Sequence, residues 1–163
     1  MKHPRVWTIL ATLALIAVAV FFVLPRAGAA GAPAFSGGAY LTTIKDSGGN
    51  LASRSVITLH TDRTMIAVDS AEQGPNDYFG SQMGTWRVEG SHRIAGRTIN
   101  FRFPQSPDPG IARSEYVIDF SPDRRHVTGT ITVYAYPLQG VDPLEDPGTL
   151  LGTFCFEGEW IKP

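Results

Sequence analysis

The sequence predicts an all-β protein: an antiparallel up-and-down barrel of eight strands, preceded by one hydrophobic N-terminal helix. Residues 39–163 contain short runs rich in β-branched and aromatic side chains, separated by clusters of Gly, Pro, Asn, Asp and Ser. Several of these runs alternate apolar with polar residues, and no window after residue 30 sustains the 3.6-residue period of an amphipathic helix. Residues 6–24 form one uncharged apolar stretch, which predicts the N-terminal helix.

The N-terminal segment predicts export across a membrane. Residues 1–5 are basic, the nineteen residues Val6–Leu24 carry no charge, and small residues follow. Nineteen helical residues rise about 28 Å, close to the thickness of a bilayer core, which favours a retained anchor. The sequence Ala27-Gly28-Ala29 instead fits a signal-peptidase site. Residues 1–30 are therefore interpreted as a signal peptide or a membrane-anchor helix, and both alternatives stay open.

Lys2 and Arg5 precede the apolar stretch, and only Arg26 follows it closely. The positive-inside rule then places the remainder of the chain outside the cytoplasm, either secreted or anchored to the membrane by the N-terminal helix. Residues 31–38 are rich in Ala, Gly, Pro and Ser and are expected to form a flexible linker, so the barrel domain is assigned to residues 39–163.

Eight β-strands are predicted along this domain. Mostly short turns join them in order, so sequential neighbours should pair antiparallel, and closing the sheet would remove its exposed edges. A β-sandwich is the alternative arrangement. The predicted strands are Tyr40–Lys45, Leu51–His60, Thr64–Ser70, Ser81–Glu89, Arg93–Phe103, Ile111–Phe120, His126–Tyr136 and Leu150–Ile161.

The sixth and seventh strands show the clearest alternation, which indicates one buried face and one solvated face. The last strand places Phe154 and Phe156 on one face and Cys155, the only cysteine, on the other with Thr153 and Glu157. The predicted inward faces of the sixth and seventh strands are Ala112, Ser114, Tyr116, Ile118, Phe120 and Val127, Gly129, Ile131, Val133, Ala135.

Composition excludes nucleic acid as a partner. Three of the 14 basic residues lie in the first 30 positions and all 15 acidic residues lie after them, so the exported part is net negative and lacks a basic run. The histidines have no zinc-ligand spacing, and neither a nucleophile elbow nor a phosphate-binding glycine loop occurs. We therefore expect no metal and no cofactor.

Three sequence segments resemble segments of calycin-like barrels (lipocalins and fatty-acid-binding proteins) and of allene oxide cyclase-like barrels. They are Gly84-Thr85-Trp86, the strand Gly129-Thr130-Ile131-Thr132-Val133, and the closing Gly152-Thr153-Phe154-Cys155-Phe156-Glu157-Gly158. The resemblance implies an interior site for a small ligand or, less often, an isomerase or cyclase pocket.

Arg97 is the leading candidate for a binding residue. It shares one face of the fifth strand with Ala95, Ile99, Phe101 and Phe103, which look core-directed. An inward Arg would need a carboxylate or an anionic ligand, because an unpaired buried charge costs several kcal/mol. In the alternative interpretation, a bulge at Gly96 turns Arg97 outward.

Ser114 and Tyr116 could complete such a site from the next strand. Trp86, Phe101, Phe103 and Phe120 are aromatic candidates for lining an apolar pocket, although each is equally suited to a filled core. We expect a non-enzymatic barrel that binds a small apolar or amphipathic ligand. The alternatives are an isomerase or cyclase acting on a lipophilic substrate, and a structural envelope protein with a filled barrel.

Overall fold

The structure is a computed structural model that describes residues 37–72, 74, 78–106 and 109–163. The signal peptide or anchor helix expected at residues 1–30 lies outside the described residues, as does nearly all of the linker expected at residues 31–38. Within the described ranges, no helix has the length and apolar character needed to cross a bilayer.

Eight strands form the described part of the chain. They are β1 (Gly38–Lys45), β2 (Leu51–Leu59), β3 (Thr64–Asp69), β4 (Gln82–Val88), β5 (Arg93–Arg102), β6 (Gly110–Phe120), β7 (His126–Tyr136) and β8 (Thr149–Trp160). The predicted strands are confirmed, with ends that differ from the observed ends by at most 2 residues.

The sheet closes on itself as an up-and-down barrel. Each strand pairs antiparallel with the next one in sequence, and β8 returns to β1, where Tyr40 lies opposite Trp160. This arrangement confirms the predicted barrel and excludes the two-sheet sandwich. Each of the eight described strands is paired on both sides, which removes the template for edge-to-edge association.

The two ends of the barrel differ. Short turns at 60–63, 89–92 and 121–125 connect strands at one end, whereas the connections at the other end include the longer segments 70–81 and 137–148. We call the half beside the short turns the closed half, and define it by the inner-face residues Tyr40, Leu59, Trp86, Ile94, Ile118 and Phe120, all of which are buried. The opposite half is called the open half.

Aromatic residues seal the closed half. The rings of Tyr40 and Phe120 meet edge to face with centroids 5.7 Å apart, and the Tyr40 hydroxyl donates to the backbone carbonyl of Arg124 at 3.1 Å. The indole Nε1 of Trp86 donates to the carbonyls of His60 and Thr64, both at 3.1 Å. Because their polar atoms are satisfied by the turns, these large side chains can fill this end without leaving a buried donor unpaired.

The predicted inner faces of β6 and β7 are confirmed, since their inward residues are buried or half-buried while most intervening positions are more exposed. The face predicted for β5 is wrong. Ile94, Thr98 and Asn100 point inward and are buried, whereas Phe101 on the opposite face is 56% exposed. The pairing of β5 with both neighbours is continuous, so Arg97 faces outward without a bulge at Gly96.

The connection between β7 and β8 is fastened to the outer wall. The guanidinium Nη1 of Arg113, an outer-face residue of β6, donates to the carbonyls of Pro143 at 2.8 Å and Asp146 at 3.3 Å. Its Cζ also lies 5.2 Å from the centroid of the Tyr134 ring and 5.1 Å from that of Tyr136. Arg113 is consequently buried despite its outward position. Segment 137–148 is thereby held against the outside of the barrel.

Candidate functional site

A cavity of about 310 Å³ occupies the open half of the barrel. Its lining comes from the open-end segments of all eight strands and from the connection after β3. The lining residues are Ile44, Ala52, Ser53, Asp69, Ala71, Phe79, Gln82, Asn100, Arg102, Ala112, Ser114, Ile131, Val133, Leu151 and Phe154. The barrel interior is therefore divided, with a packed closed half and a hollow open half.

One wall of the cavity is apolar. It is built from β1, β2, β7 and β8, whose contributions are mainly aliphatic and aromatic. Ile131 and Val133 come from β7, Phe154 and Leu151 from β8, and Ile44 from β1. Most of these residues follow from the period-2 alternation of each strand, which aims every second side chain inward. Leu151 is the exception, because it lies where the register between β7 and β8 shifts. This wall suits the hydrocarbon part of a ligand.

The wall opposite is polar. Its uncharged polar and acidic side chains are Asp69 at the end of β3, Gln82 at the start of β4, Asn100 on β5 and Ser114 on β6, and the same strands and connection also contribute Ala71, Phe79, Arg102 and Ala112 to the lining. Thr98 lies opposite Ser114 in the β5–β6 register, and its hydroxyl donates to Gln82 Oε1 at 2.9 Å. A strip of polar side chains thus crosses four neighbouring strands on the inner face, and a hydrogen bond joins its members on β4 and β5.

Tyr116 forms the boundary between the polar strip and the packed half. Its hydroxyl donates to Gln82 Oε1 at 2.6 Å, so this oxygen accepts two hydrogen bonds, one from Tyr116 and one from Thr98. Burial raises the pKa of Tyr116 above its usual range, and the negative charge of Asp69 raises it further. Tyr116 is therefore a neutral hydrogen-bond donor throughout the physiological range.

Asp69 is the acidic group of the cavity and is only 9% exposed. Its Oδ2 accepts from the Ser53 hydroxyl at 2.9 Å, and its Oδ1 accepts from the Ala71 amide at 2.8 Å. Burial raises the pKa of Asp69 above its ordinary value, and the nearby Glu72 carboxylate raises it further, while the two hydrogen bonds oppose the increase. The desolvated carboxylate is thus held in a fixed orientation at the cavity wall.

Glu72 fixes the segment that carries Asp69. Its Oε1 accepts from the Asp69 amide at 2.9 Å, and its Oε2 accepts from the Ser81 hydroxyl at 3.1 Å. This carboxylate therefore joins the two ends of the β3–β4 connection. The connection is anchored where it borders the cavity, which favours a preformed site.

The residues proposed from the sequence separate into three groups. Ser114 lines the cavity, and Tyr116 contacts it through Gln82. Trp86 and Phe120 are buried in the closed half, where they serve as packing. All four were proposed as binding residues and lie on the inner face, but only Ser114 lines the cavity.

The remaining three proposed residues lie on the outside. Arg97 donates to the Leu144 carbonyl at 3.2 Å and pairs with Glu115 at 3.3 Å, both on the outer wall. Phe101 and Phe103 are 56% and 38% exposed. Their inward placement was wrong because alternate residues of β5 from Ile94 to Arg102, most of them small or polar, face the interior.

Asp69, Gln82 and Asn100 were missed by the sequence reasoning. Asp69 shares a strand face with Met65 and Ala67, which are both fully buried. The sequence signal was therefore a carboxylate at the next inward position of an otherwise apolar strand face. For Asn100, the corresponding signal was its spacing from Ile94 and Thr98 on β5. For Gln82, the signal was its position on the same face of β4 as Trp86, four residues away.

The described residues include no group of three or more His, Cys, Asp or Glu side chains placed to hold a metal ion. Cys155 is a free thiol on the exposed face of β8, away from the cavity lining. The chemistry that the cavity itself offers is hydrogen bonding, a carboxylate charge and apolar contact.

Comparison with known proteins yields no match: no protein-family model, no curated protein and no solved structure is similar to this chain.

Proposed function

We propose that this protein binds one small amphipathic molecule in the open half of its barrel and has no catalytic role of its own. The observation that carries the proposal is the cavity of about 310 Å³, which has one apolar and one polar wall. Ligand sites for small molecules typically span roughly 300–1,000 Å³ and combine apolar lining with a few placed polar groups. The volume favours a compact ligand over a long-chain lipid.

The closed eight-stranded architecture supports a binding role by analogy. Closed eight-stranded up-and-down barrels of the calycin-like type are suited to holding one ligand, because their interior is wide enough for a small molecule but too narrow for a channel. Architecture alone does not determine function. The analogy therefore supports the proposed binding role, but the cavity remains the observation on which that proposal rests.

The proposed place of action is outside the cytoplasm. The basic residues 1–5, the apolar residues 6–24 and the small residues that follow favour export, with the barrel either released or tethered. In both cases a cup-shaped binding domain would meet ligands in the extracytoplasmic space.

Native mass spectrometry of the protein purified from its own host tests this function. We expect a population heavier than the chain by one small molecule, which dissociates on collisional activation. The same spectra show whether residues 1–30 are still attached. A protein that carries no small molecule, and that takes none up from a panel of small amphiphiles, would contradict the proposal.

A matched pair of variants locates the ligand. Ala112→Phe places a ring in the hollow, because Ala112 is buried on the cavity lining. Ala95→Phe makes the same change on the outer face of β5. We expect Ala112→Phe to lose the bound mass and Ala95→Phe to keep it, while both retain the native far-ultraviolet circular dichroism spectrum.

A further inference from the structure

The polar strip has unused hydrogen-bonding capacity. Ser114 is 2% exposed and lines the cavity, yet its hydroxyl has no hydrogen-bond partner among the described residues. Asn100 is 6% exposed, and its Nδ2 donates to the Gly80 carbonyl at 3.1 Å, while its Oδ1 accepts from none of the described residues. Both residues line the cavity, so a molecule inside the hollow, water or a ligand, can pair with these oxygens.

Gln82 contributes a further pair of free donors. Its Oε1 is saturated by Tyr116 and Thr98, which fixes the orientation of the amide. The Nε2 group bonds to none of the described residues, and Gln82 lines the cavity. The strip therefore offers donors from Gln82, acceptors from Asn100 and Asp69, and the Ser114 hydroxyl, which can serve as either.

Charge distinguishes between ligand classes. Among the described lining residues, the charged side chains are Asp69 and Arg102. Arg102 is already engaged in an interaction within the molecule. Asp69 receives its hydrogen bonds from a hydroxyl and a backbone amide, and no described cation forms an ion pair with it. The nearby Glu72 adds a second negative charge. Beside Asp69 and Glu72 a carboxylate ligand would be repelled, whereas an ammonium or hydroxyl group would find an acceptor.

We propose that the ligand of this cavity carries a hydroxyl or amine group that donates to Asp69 and Asn100 and accepts from Gln82 or Ser114, and that the cavity discriminates against carboxylates. This inference rests on the proposed binding function and specifies its ligand class. The hydrocarbon part of the ligand lies against Ile131, Val133 and Phe154.

Three probes that share a phenylethyl group test the ligand class: 2-phenylethylamine, 2-phenylethanol and 3-phenylpropionate. Their dissociation constants are measured by saturation-transfer NMR on the protein purified from its own host and freed of bound ligand. We expect the amine and the alcohol to bind at least about tenfold more tightly than the carboxylate. Equal binding of all three would overturn the ligand class and leave the binding function standing. Binding of none would overturn both.

Asp69→Asn tests the residue that discriminates. This variant keeps a polar group at the same place but removes the charge, so we expect the preference over the carboxylate to fall to about threefold or less. Asp119→Asn is the matched control, because Asp119 lies on the outer face of β6 and pairs with Arg93. It should retain the wild-type preference. An unchanged preference in Asp69→Asn would overturn the role of Asp69.

Discussion

The hydroxyl of Tyr116 lies 2.6 Å from Oε1 of Gln82, and this hydrogen bond marks the boundary between the packed and hollow halves of the barrel. Tyr116 is 2% exposed and belongs to the core cluster, whereas Gln82 lines the cavity. The bond crosses from β6 to β4 over the intervening β5. It thus couples the rigid core to the polar strip and orients the amide that faces the hollow.

Tyr116→Phe removes this hydrogen bond and leaves one lone pair of Gln82 Oε1 without its donor. We expect the free energy of unfolding to fall by about 1 kcal/mol, the usual net value of such a bond. Urea denaturation followed by tryptophan fluorescence measures the change. Tyr134→Phe is the control, since the Tyr134 hydroxyl bonds to none of the described residues and only its ring contacts Arg113. Equal stability of wild type and Tyr116→Phe would contradict the coupling.

Asp69→Asn should alter the dependence of stability on pH. Burial raises the native pKa of Asp69, so the native state holds its proton to higher pH than the unfolded state does. The stability associated with this group is present below the unfolded pKa and is lost as pH rises through the native pKa. Relative to wild type, Asp69→Asn should therefore become more stable as pH rises from about 4 to about 7.

Asp119→Asn provides a control of opposite sign. The hydrogen bonds and charge of Arg93 lower the native pKa of Asp119, so its contribution is present above the unfolded pKa and is lost as pH falls. Relative to wild type, this variant should lose stability as pH rises. Thermal unfolding midpoints across the pH range measure both trends. If the unfolding midpoints of both variants changed with pH in the same direction relative to wild type, the raised pKa of Asp69 would be refuted.

Arg113→Ala should release the segment 137–148 from the outer wall. The substitution removes two charged hydrogen bonds to the Pro143 and Asp146 carbonyls and the stacking on two tyrosines, so we expect a loss of about 2–3 kcal/mol. Hydrogen exchange of residues 138–148 should accelerate while that of β6 does not.

Arg97→Ala is the matched control for the attachment of segment 137–148 to the outer wall. Arg97 contacts the same segment through the Leu144 carbonyl, but its side chain is 49% exposed. Because exposed pairs contribute little, we expect a loss below about 1 kcal/mol. A loss equal to that of Arg113→Ala would show that burial does not determine the strength of the contact.

Gly129 on β7 and Gly152 on β8 both lie on the inner face, and they test the contrast between the packed closed half and the hollow open half. A Cβ at Gly129 would lie 2.6 Å from Cζ of Phe156 and would also collide with the Val117 carbonyl, in the packed half. A Cβ at Gly152 would lie 3.3 Å from the nearest atom, a ring carbon of Phe154 that faces the cavity. We expect Gly129→Ala to cost about 3 kcal/mol and Gly152→Ala less than about 1 kcal/mol in unfolding free energy. Similar costs would contradict a hollow open half.

The strand pattern of this barrel could be predicted because it depends on local sequence. Alternation in β6 and β7 is strong, and turn residues mark each strand end, so the order and approximate bounds of the strands follow. On β5 the outer face is the more apolar one, with Ala95, Ile99 and Phe101, so the pattern predicts the wrong face. The interior there accepts small residues because neighbouring strands fill the space: a Cβ at Gly96 would lie 2.7 Å from the Met65 sulfur. That constraint comes from another strand.

The cavity could not be predicted for the same reason. Trp86 and Ser114 both face inward, but whether an inward residue meets a packed core or a hollow depends on how residues from all eight strands meet in space. Arg113 shows the same limit on the outer wall. Its burial arises from segment 137–148, which is more than 20 residues away in sequence.

The most direct measurement of the central claim is a set of intermolecular nuclear Overhauser effects between 2-phenylethanol and the methyl groups of the protein. The account predicts contacts to Ile44, Ile131 and Val133, which line the cavity, and none to Leu59 or Ile118 in the closed half. Contacts confined to exposed outer methyl groups such as those of Leu41 and Val68, or no contacts at any concentration of the probe, would contradict it.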